Sequence, residues 1–152
     1  MYEYKPESLY ILFSQVMKLH FHRAHNLLDK IGVYPGQPPL LISLVHKDGQ
    51  SQKELAERIS IKPATITVMI SRLEKTGLVE RRQDAEDQRI SRVFLTEKGR
   101  NKCMEVGNVM NSINAECFSN FNEEEKALLR RFFMQMKDNL EKVTGKSGDC
   151  ER

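Results

Sequence analysis

The sequence lacks most of the features that mark fibrous, membrane-embedded or disulfide-stabilised proteins. Its 152 residues contain only 8 Gly, 5 Pro and 3 Cys, which excludes collagen and a disulfide scaffold. No apolar run reaches the roughly 18 residues that indicate a membrane-spanning helix. The first residues also lack the basic, apolar and small-residue order of a secretory signal. We therefore expect a cytoplasmic protein with no membrane partner.

The sequence also lacks the residue constellations of common enzymes. It has no recognisable nucleophile–base arrangement, phosphate-binding loop or paired-carboxylate site, so we expect neither enzymatic activity nor a cofactor. Cys103, Cys117 and Cys150 form no Cys-x-x-Cys pair. We interpret the first two as core thiols on an apolar helix face, and Cys150 as a tail residue without a function.

Positive charge is present in modest excess, and it is concentrated in the middle of the chain. The whole sequence has 24 Lys+Arg against 21 Asp+Glu, a net charge of +3, whereas residues 51–102 alone hold 12 against 8, a net charge of +4. The apolar residues beside this region have the spacing of a protein core. A localised basic excess of this kind favours nucleic acid as the partner over a membrane surface.

Hydrophobic periodicity and helix-capping residues predict a helix-turn-helix in the basic region. A long first helix is predicted over residues 7–31 and a second around residues 40–45. Ser51 and Glu54 have the spacing of a capping box, which begins a short helix. Pro63 suits the first position of the next helix, and Gly77 suits its end. Lys62 precedes Pro63 and is a poor N-cap residue.

A hairpin and two further helices are predicted to follow. Residues 78–82 and 91–95 have strand character and are joined by a polar loop over residues 84–89. A hairpin directly after a helix-turn-helix is a wing. Thr96 then caps a helix with apolar residues at alternating spacings of three and four, and residues 122–125 begin the last helix. We expect residues 144–152 to be disordered.

The helix that begins at Pro63 has one apolar face and one face suited to a DNA groove. On a helical wheel, Ile66, Met69, Ile70 and Leu73 form the face expected to be buried. The opposite face, with its flanks, carries methyl and hydroxyl groups and cations suited to base edges and phosphates. Its residues are Ala64, Thr65, Thr67, Val68, Ser71, Arg72 and Lys75. An ordinary solvated helix face is the alternative interpretation.

The predicted wing is rich in arginine. Arg81, Arg82, Arg89 and Arg92 lie within 12 residues, and an arginine at a hairpin tip can enter the minor groove. Asp87 is close enough along the chain to hold the Arg89 side chain through a charge-assisted hydrogen bond. A surface ion pair without a further role is the alternative.

These motifs together resemble the MarR family of bacterial regulators. The resemblance is carried by five segments: residues 51–56, 63–67, 72–81, 84–89 and 95–99. It implies a fold that is mainly α with a small β-wing, a winged helix-turn-helix with a helical dimerisation layer. Residues 35–96 would be the DNA-binding domain, and residues 1–34 and 97–143 the dimerisation region. The activity implied is that of a transcriptional regulator, usually a repressor released by a small molecule.

The resemblance also implies partners and contact residues. The partners would be a second copy of the chain and a pseudo-palindromic DNA duplex. The expected DNA contacts are Pro63, Ala64, Thr65, Thr67, Ser71, Arg72, Arg82, Asp87 and Arg89. An aromatic or phenolic effector would bind near Met17, His20, Arg23, His25 and Tyr34.

Two other functions remain open at this stage. One is a winged-helix module that binds a protein or RNA. The other is a regulator that responds to metal or oxidants, since His22 and His25 share one helical face. The absence of an obvious third and fourth ligand disfavours a metal site.

Overall fold

The computed structural model of the chain describes residue 5 and residues 7–144, and its architecture is mainly helical with one small sheet. The elements in chain order are α1 (Leu9–Lys30), α2 (Pro38–His46), β1 (Gln50–Ser51), α3 (Gln52–Arg58), α4 (Pro63–Lys75), β2 (Val79–Gln83), β3 (Ser91–Leu95), α5 (Glu97–Phe118) and α6 (Glu123–Thr144). The predicted winged helix-turn-helix is confirmed. Of the predicted tail, Thr144 is instead the last residue of α6, and residues 145–152 lie outside the described part.

Helices α3, α5 and α6 begin at side chains that accept hydrogen bonds from free backbone N–H groups, as the capping patterns predict. The Glu54 N–H donates to Ser51 Oγ at 3.2 Å, and the Ser51 N–H donates to Glu54 Oε2 at 2.7 Å. At α5, the Gly99 N–H donates to Thr96 Oγ1 at 3.0 Å. At α6, Asn122 and Glu125 form a second reciprocal pair, with both bonds at 2.9 Å.

The sheet has three antiparallel strands in the order β1-β3-β2. The β2–β3 hairpin is the predicted wing. Strand β1 was not predicted, because it has only two residues and its second residue, Ser51, also caps α3. It pairs with the middle of β3, placing Gln50 opposite Val93. The base of the wing is thereby joined to the start of the helix-turn-helix.

A single apolar core holds α4 and the sheet in place. It includes residues from α1 to α5 whose side chains are almost completely removed from water. The most enclosed are Leu40, Leu41, Leu44, Leu55, Ile70, Leu73, Val93 and Val106. Gln50 is one of the polar residues buried beside it. Its amide donates to three acceptors at the end of α2, the nearest being the Lys47 carbonyl at 2.6 Å. Burying this amide is tolerable because it is hydrogen-bonded.

The chain divides into two compact units. The first ends at Ile113 and contains the core, the helix-turn-helix and the wing. The second begins at Asn114 and contains the end of α5 and all of α6, with Phe118 and Phe121 in an edge-to-face contact at 6.0 Å between ring centroids. Within the part of the chain described here, every helix is too short or too polar to cross a membrane.

Candidate nucleic-acid interface

Helix α4 buries one face in the core and leaves the other accessible. Ile66, Ile70 and Leu73 are buried as predicted, whereas Met69, predicted to be buried with them, is only half-buried. Lys62 makes no side-chain cap at the N-terminus of the helix, as its residue type predicts. The Thr65 and Ile66 N–H groups donate instead to the Lys62 carbonyl. The Ala64 N–H has no side-chain acceptor from the N-cap residue, in a position where a phosphate oxygen can accept from it.

The predicted contact residues of α4 differ in exposure. Pro63, Ala64, Thr65, Thr67 and Arg72 are exposed together with Val68 and Lys75. Ser71 is only half-buried rather than fully exposed, because the Arg81 Nη2 donates to its hydroxyl at 3.1 Å. Of the nine predicted contact residues, seven are exposed, whereas Ser71 and Asp87 are half-buried, and the Ser71 hydroxyl faces the sheet.

Two contacts fix α4 relative to its neighbours. Arg81, on β2, lies with its Nε 3.4 Å from Glu74 Oε2 while it also holds Ser71. On the other side, the Gln52 amide of α3 donates to Thr67 Oγ1 at 3.4 Å, and that hydroxyl donates to the Pro63 carbonyl at 3.0 Å. Arg81, counted in the sequence among the wing arginines available for DNA, is thus committed to a bond within the protein.

The tip of the wing presents Arg89 to solvent in a fixed orientation. Its Nε and Nη2 donate to the two carboxylate oxygens of Asp87 at 3.1 and 3.2 Å, and the Arg89 backbone N–H donates to Asp87 Oδ1 at 3.0 Å. The Arg89 side chain is nevertheless 90% exposed. Hydrogen bonds from the Arg89 side chain and backbone lower the pKa of Asp87. The predicted pairing of Asp87 with Arg89 is confirmed, in the bidentate geometry that holds a guanidinium most firmly.

The loop end of the wing hairpin contains an ion cluster that the sequence interpretation missed. Arg92 donates through Nε to Asp84, through Nη1 to the Gly49 carbonyl at 3.0 Å, and through Nη1 to Glu54 Oε2 at 3.4 Å. Asp84 also accepts the backbone N–H groups of Glu86 and Asp87 at 2.9 and 3.0 Å. Arg92 was predicted as a further cation for DNA, and in the structure it instead joins the wing to β1 and to the cap of α3.

The electrostatics of this cluster stabilise its ionised form. Hydrogen bonding from the Arg92 side chain, followed by the two backbone N–H groups, lowers the pKa of Asp84 from 3.8 to about 2. Asp84 in turn raises the pKa of Arg92. The sequence did contain a signal for the loop bonds of Asp84. An aspartate at the start of a polar loop can accept the N–H groups two and three residues later, here those of Glu86 and Asp87, as in an Asx-turn. Its pairing with Arg92 has no local signature.

Arg82 lies on the outer face of the wing, 63% exposed, with a hydrogen bond to Glu80. Its guanidinium also stacks over the Phe94 ring, 4.9 Å from the centroid. This arrangement leaves its outer edge accessible to a phosphate. Arg82, Arg72, Lys75 and Arg89 are exposed cations of the helix-turn-helix and the wing, and we refer to them together as the cationic face of the first unit.

The residues predicted for an effector site are all on or next to α1. A cavity of about 730 Å³ is lined by Met17, Lys18, Leu19, Phe21, His22 and His25. It includes Met17 and His25 from the predicted set, whereas His20, Arg23 and Tyr34 do not line it. All of its lining residues belong to one helix, so the structure places no second wall around it.

The cysteines differ from one another. Cys103 is half-buried, with its thiol 3.8 Å from the Leu41 carbonyl oxygen, and burial raises its pKa, which disfavours the reactive thiolate. Cys117 is exposed in the protomer, contrary to the prediction of a core thiol. Cys150 lies outside the described residues. Among residues 5 and 7–144, no group of three or more His, Cys, Asp or Glu side chains is arranged to hold a metal.

Comparisons of the chain with known proteins identify one family. The model of the MarR family matches residues 33–91, from before α2 to the wing. Among curated proteins, the chain is 31% identical over 112 residues to the HTH-type transcriptional regulator YdgJ of Bacillus subtilis (strain 168), covering 74% of this chain and 68% of YdgJ. It is 36% identical over 98 residues to the HTH-type transcriptional repressor MdtR of the same organism, covering 64% of this chain and 63% of MdtR.

Solved structures have the same fold. A MarR-like transcription regulator from Bacillus cereus ATCC 10987 aligns with a TM-score of 0.75 at 24% identity, over 87% of this chain and 95% of that one. An organohalide-sensing transcriptional regulator in its 2,4-dichlorophenol-bound form aligns with a TM-score of 0.78 at 21% identity, over 91% and 83% of the two chains. The chain therefore belongs to the MarR family and is a DNA-binding transcriptional regulator of the winged helix-turn-helix type.

Proposed function

We propose that the chain acts as a homodimeric repressor that binds a pseudo-palindromic operator through α4 and the wing. The observation that carries this proposal is the cationic face, in which Arg89 is held by Asp87 and yet is 90% exposed. Fixing an exposed arginine costs side-chain entropy, and an isolated surface ion pair returns little. The arrangement is explained if Arg89 enters a groove or contacts a phosphate.

Dimerisation is supported by apolar faces that one copy leaves exposed. On α1, Leu9, Leu12 and Val16 are 87%, 45% and 59% exposed. Helix α6 has 22 residues and no buried side chain, although Leu128, Phe132 and Phe133 recur at helical spacing. Apolar area of this extent is unfavourable in water and marks an interface. The proposed partner is a second copy, which would place two α4 helices one turn of DNA apart.

Arg89→Ala tests the DNA interface. We expect operator affinity to fall about tenfold or more, which is the range for a lost arginine contact. If the contact is to a phosphate, the slope of log K against log salt should also become less steep by about one unit. The matched control is Lys30→Ala, which removes the same charge from an exposed residue at the end of α1.

Two results would contradict this part of the proposal. One is an equal loss of affinity for the Arg89→Ala and Lys30→Ala variants. The other is a flat salt dependence for the wild-type protein, because phosphate neutralisation releases counterions. Analytical ultracentrifugation of the wild-type protein tests the dimer independently of DNA.

Release by a small aromatic or phenolic effector is the second part of the proposal. Support comes from the α1 cavity, whose apolar and imidazole groups suit a phenol, and from the similar fold of a regulator solved with 2,4-dichlorophenol. The second copy would supply the missing wall, and binding would shift the population of winged-module separations away from the operator spacing. Titration of the operator complex with 2,4-dichlorophenol and a panel of phenolic acids tests it. Release that persists unchanged in His25→Ala would contradict this location.

A further inference from the structure

We propose that Val68 reads thymine methyl groups in the major groove, so that the centre of each half-site is recognised by apolar contact rather than by hydrogen bonds to base edges. This inference rests on the DNA-binding function and on the proposed placement of α4 in the groove. It adds a specificity-determining residue, and with it the chemistry of the bases that the operator presents at that point.

The first argument is the position of Val68 on α4. At 100° per residue, Ala64, Val68 and Lys75 fall within an arc of about 40° centred opposite the buried residue Ile66. All three are exposed, and Val68 is an exposed large apolar residue of this helix, with 50% of its surface accessible. The outermost ridge of α4 is therefore apolar over its first two turns and cationic only at its end.

The second argument is that two of the hydroxyl groups near this ridge, those of Thr67 and Ser71, already have partners. Ser71 accepts a hydrogen bond from Arg81 at 3.1 Å. Thr67 Oγ1 donates to the Pro63 carbonyl at 3.0 Å and accepts from Gln52 at 3.4 Å. The Thr67 hydroxyl could donate to a base edge only by giving up its bond to the Pro63 carbonyl, so its net gain would be small. Arg81 holds the Ser71 hydroxyl oxygen toward the sheet.

The chemistry of the major groove identifies what an apolar ridge can recognise. The thymine C5-methyl is the apolar group that base pairs present there, whereas the other edges present donors and acceptors. A valine seated against cytosine or guanine edges would remove water from polar atoms without replacing their hydrogen bonds. Against a thymine methyl, the same valine buries apolar surface on both partners.

Uracil scanning tests the proposal. A duplex is first selected from a random pool with the full chain, and each thymine of the selected site is then replaced singly by uracil, which removes only the methyl. We expect at least one thymine in each half-site at which uracil weakens binding about fourfold, the fold-change for one buried methyl group. In Val68→Ala, the loss at that position should disappear, because the methyl no longer has its partner.

The matched control is Val45→Ala on α2. Val45 is 55% exposed, close to the value for Val68, but it lies outside the helix-turn-helix pair α3–α4. Its variant should keep the full uracil penalty. Because Val68 is exposed, its replacement by alanine leaves the core intact, and an unchanged thermal unfolding midpoint verifies this.

The outcomes separate the methyl contact from DNA binding as such. A selected operator at which no thymine is sensitive to uracil overturns the proposal and leaves the DNA-binding function standing. A uracil penalty of equal size in wild type and Val68→Ala also overturns it and assigns the methyl contact to another residue. Failure to select any sequence would overturn the DNA-binding function as well.

Discussion

Gly99 and Gly107 lie on the same helix, and their replacement by alanine is expected to change stability in opposite directions. A Cβ atom added at Gly99 would lie 1.9 Å from the Leu78 carbonyl oxygen, 3.0 Å from the Leu78 carbonyl carbon and 3.2 Å from Leu95 Cδ2. A Cβ added at Gly107 would have no atom within 4 Å. The two positions therefore share the helix and the substitution, and they differ in the space around the new methyl.

The size of each effect follows from this difference. Alanine is favoured over glycine in a helix by about 0.5–1 kcal/mol, so we expect Gly107→Ala to raise the free energy of unfolding by that amount. Gly99→Ala makes the same gain but must push the Leu78 carbonyl from 1.9 Å to beyond 3.0 Å. Because that carbonyl also accepts from the Thr96 N–H at 3.1 Å, the obstacle is held backbone, and overpacking costs about 1–3 kcal/mol.

A contact with backbone as short as this one belongs at the upper end of the overpacking cost, about 3 kcal/mol. After the helix gain of about 0.5–1 kcal/mol is subtracted, the expected net result for Gly99→Ala is a loss of about 2 kcal/mol. At about 2–4 °C per kcal/mol for a chain of this length, its unfolding midpoint should fall by about 4–8 °C, while that of Gly107→Ala should rise by about 1–4 °C. Thermal unfolding followed by circular dichroism, at one protein concentration because the proposed dimerisation would contribute to stability, measures both midpoints. A Gly99→Ala protein as stable as the wild type would refute the reasoning, as would shifts of the same sign in the two variants.

Three further predictions concern the wing, the core and the last helix. Because the pKa of Asp84 is lowered, the stabilisation by this carboxylate is complete above its unfolded pKa of 3.8 and is lost as the pH falls toward about 2. In wild type the urea midpoint should decline over this pH range, and Asp84→Asn should flatten that decline. An unchanged decline in the variant would contradict this. Ile70→Ala should lower the free energy of unfolding by about 2–5 kcal/mol, measurable by urea titration, and a loss below 1 kcal/mol would argue against its full burial. Asn122→Ala should cost about 1 kcal/mol by removing the α6 cap, and Asn122→Asp, which keeps an acceptor oxygen, should restore most of it.

The wing illustrates how far the sequence interpretation reached. The hairpin and its polar loop were predicted. The bond between Asp87 and Arg89 was also predicted, because side chains two positions apart in a tight loop lie within hydrogen-bonding reach. The roles of Arg81 and Arg92 were not predicted. Both were counted as cations for DNA, since their residue type and position in a basic hairpin are the same as those of Arg82 and Arg89.

The reason lies in the packing of the sheet. Arg92 lies opposite Arg82 in the β2–β3 ladder, and it is drawn inward by Asp84 and by the Gly49 carbonyl, which is 43 residues away in the chain. Arg81 is on the opposite face of its strand and therefore meets α4. Consecutive side chains of a strand lie on opposite faces of the sheet. Which of the two faces contacts α4 depends on how the hairpin packs against the helix-turn-helix.

The sequence by itself determined the helices, the wing hairpin and the family. Caps, turns and hydrophobic periods act between residues a few positions apart, so the helix ends at Ser51, Thr96, Asn122 and Gly77 can be predicted from neighbouring residues. Tertiary structure alone decided which cations are free for a partner and which hold the protein together. That choice depends on contacts between residues such as Gly49 and Arg92, and only the docking of the wing on the helix-turn-helix brings them within hydrogen-bonding distance.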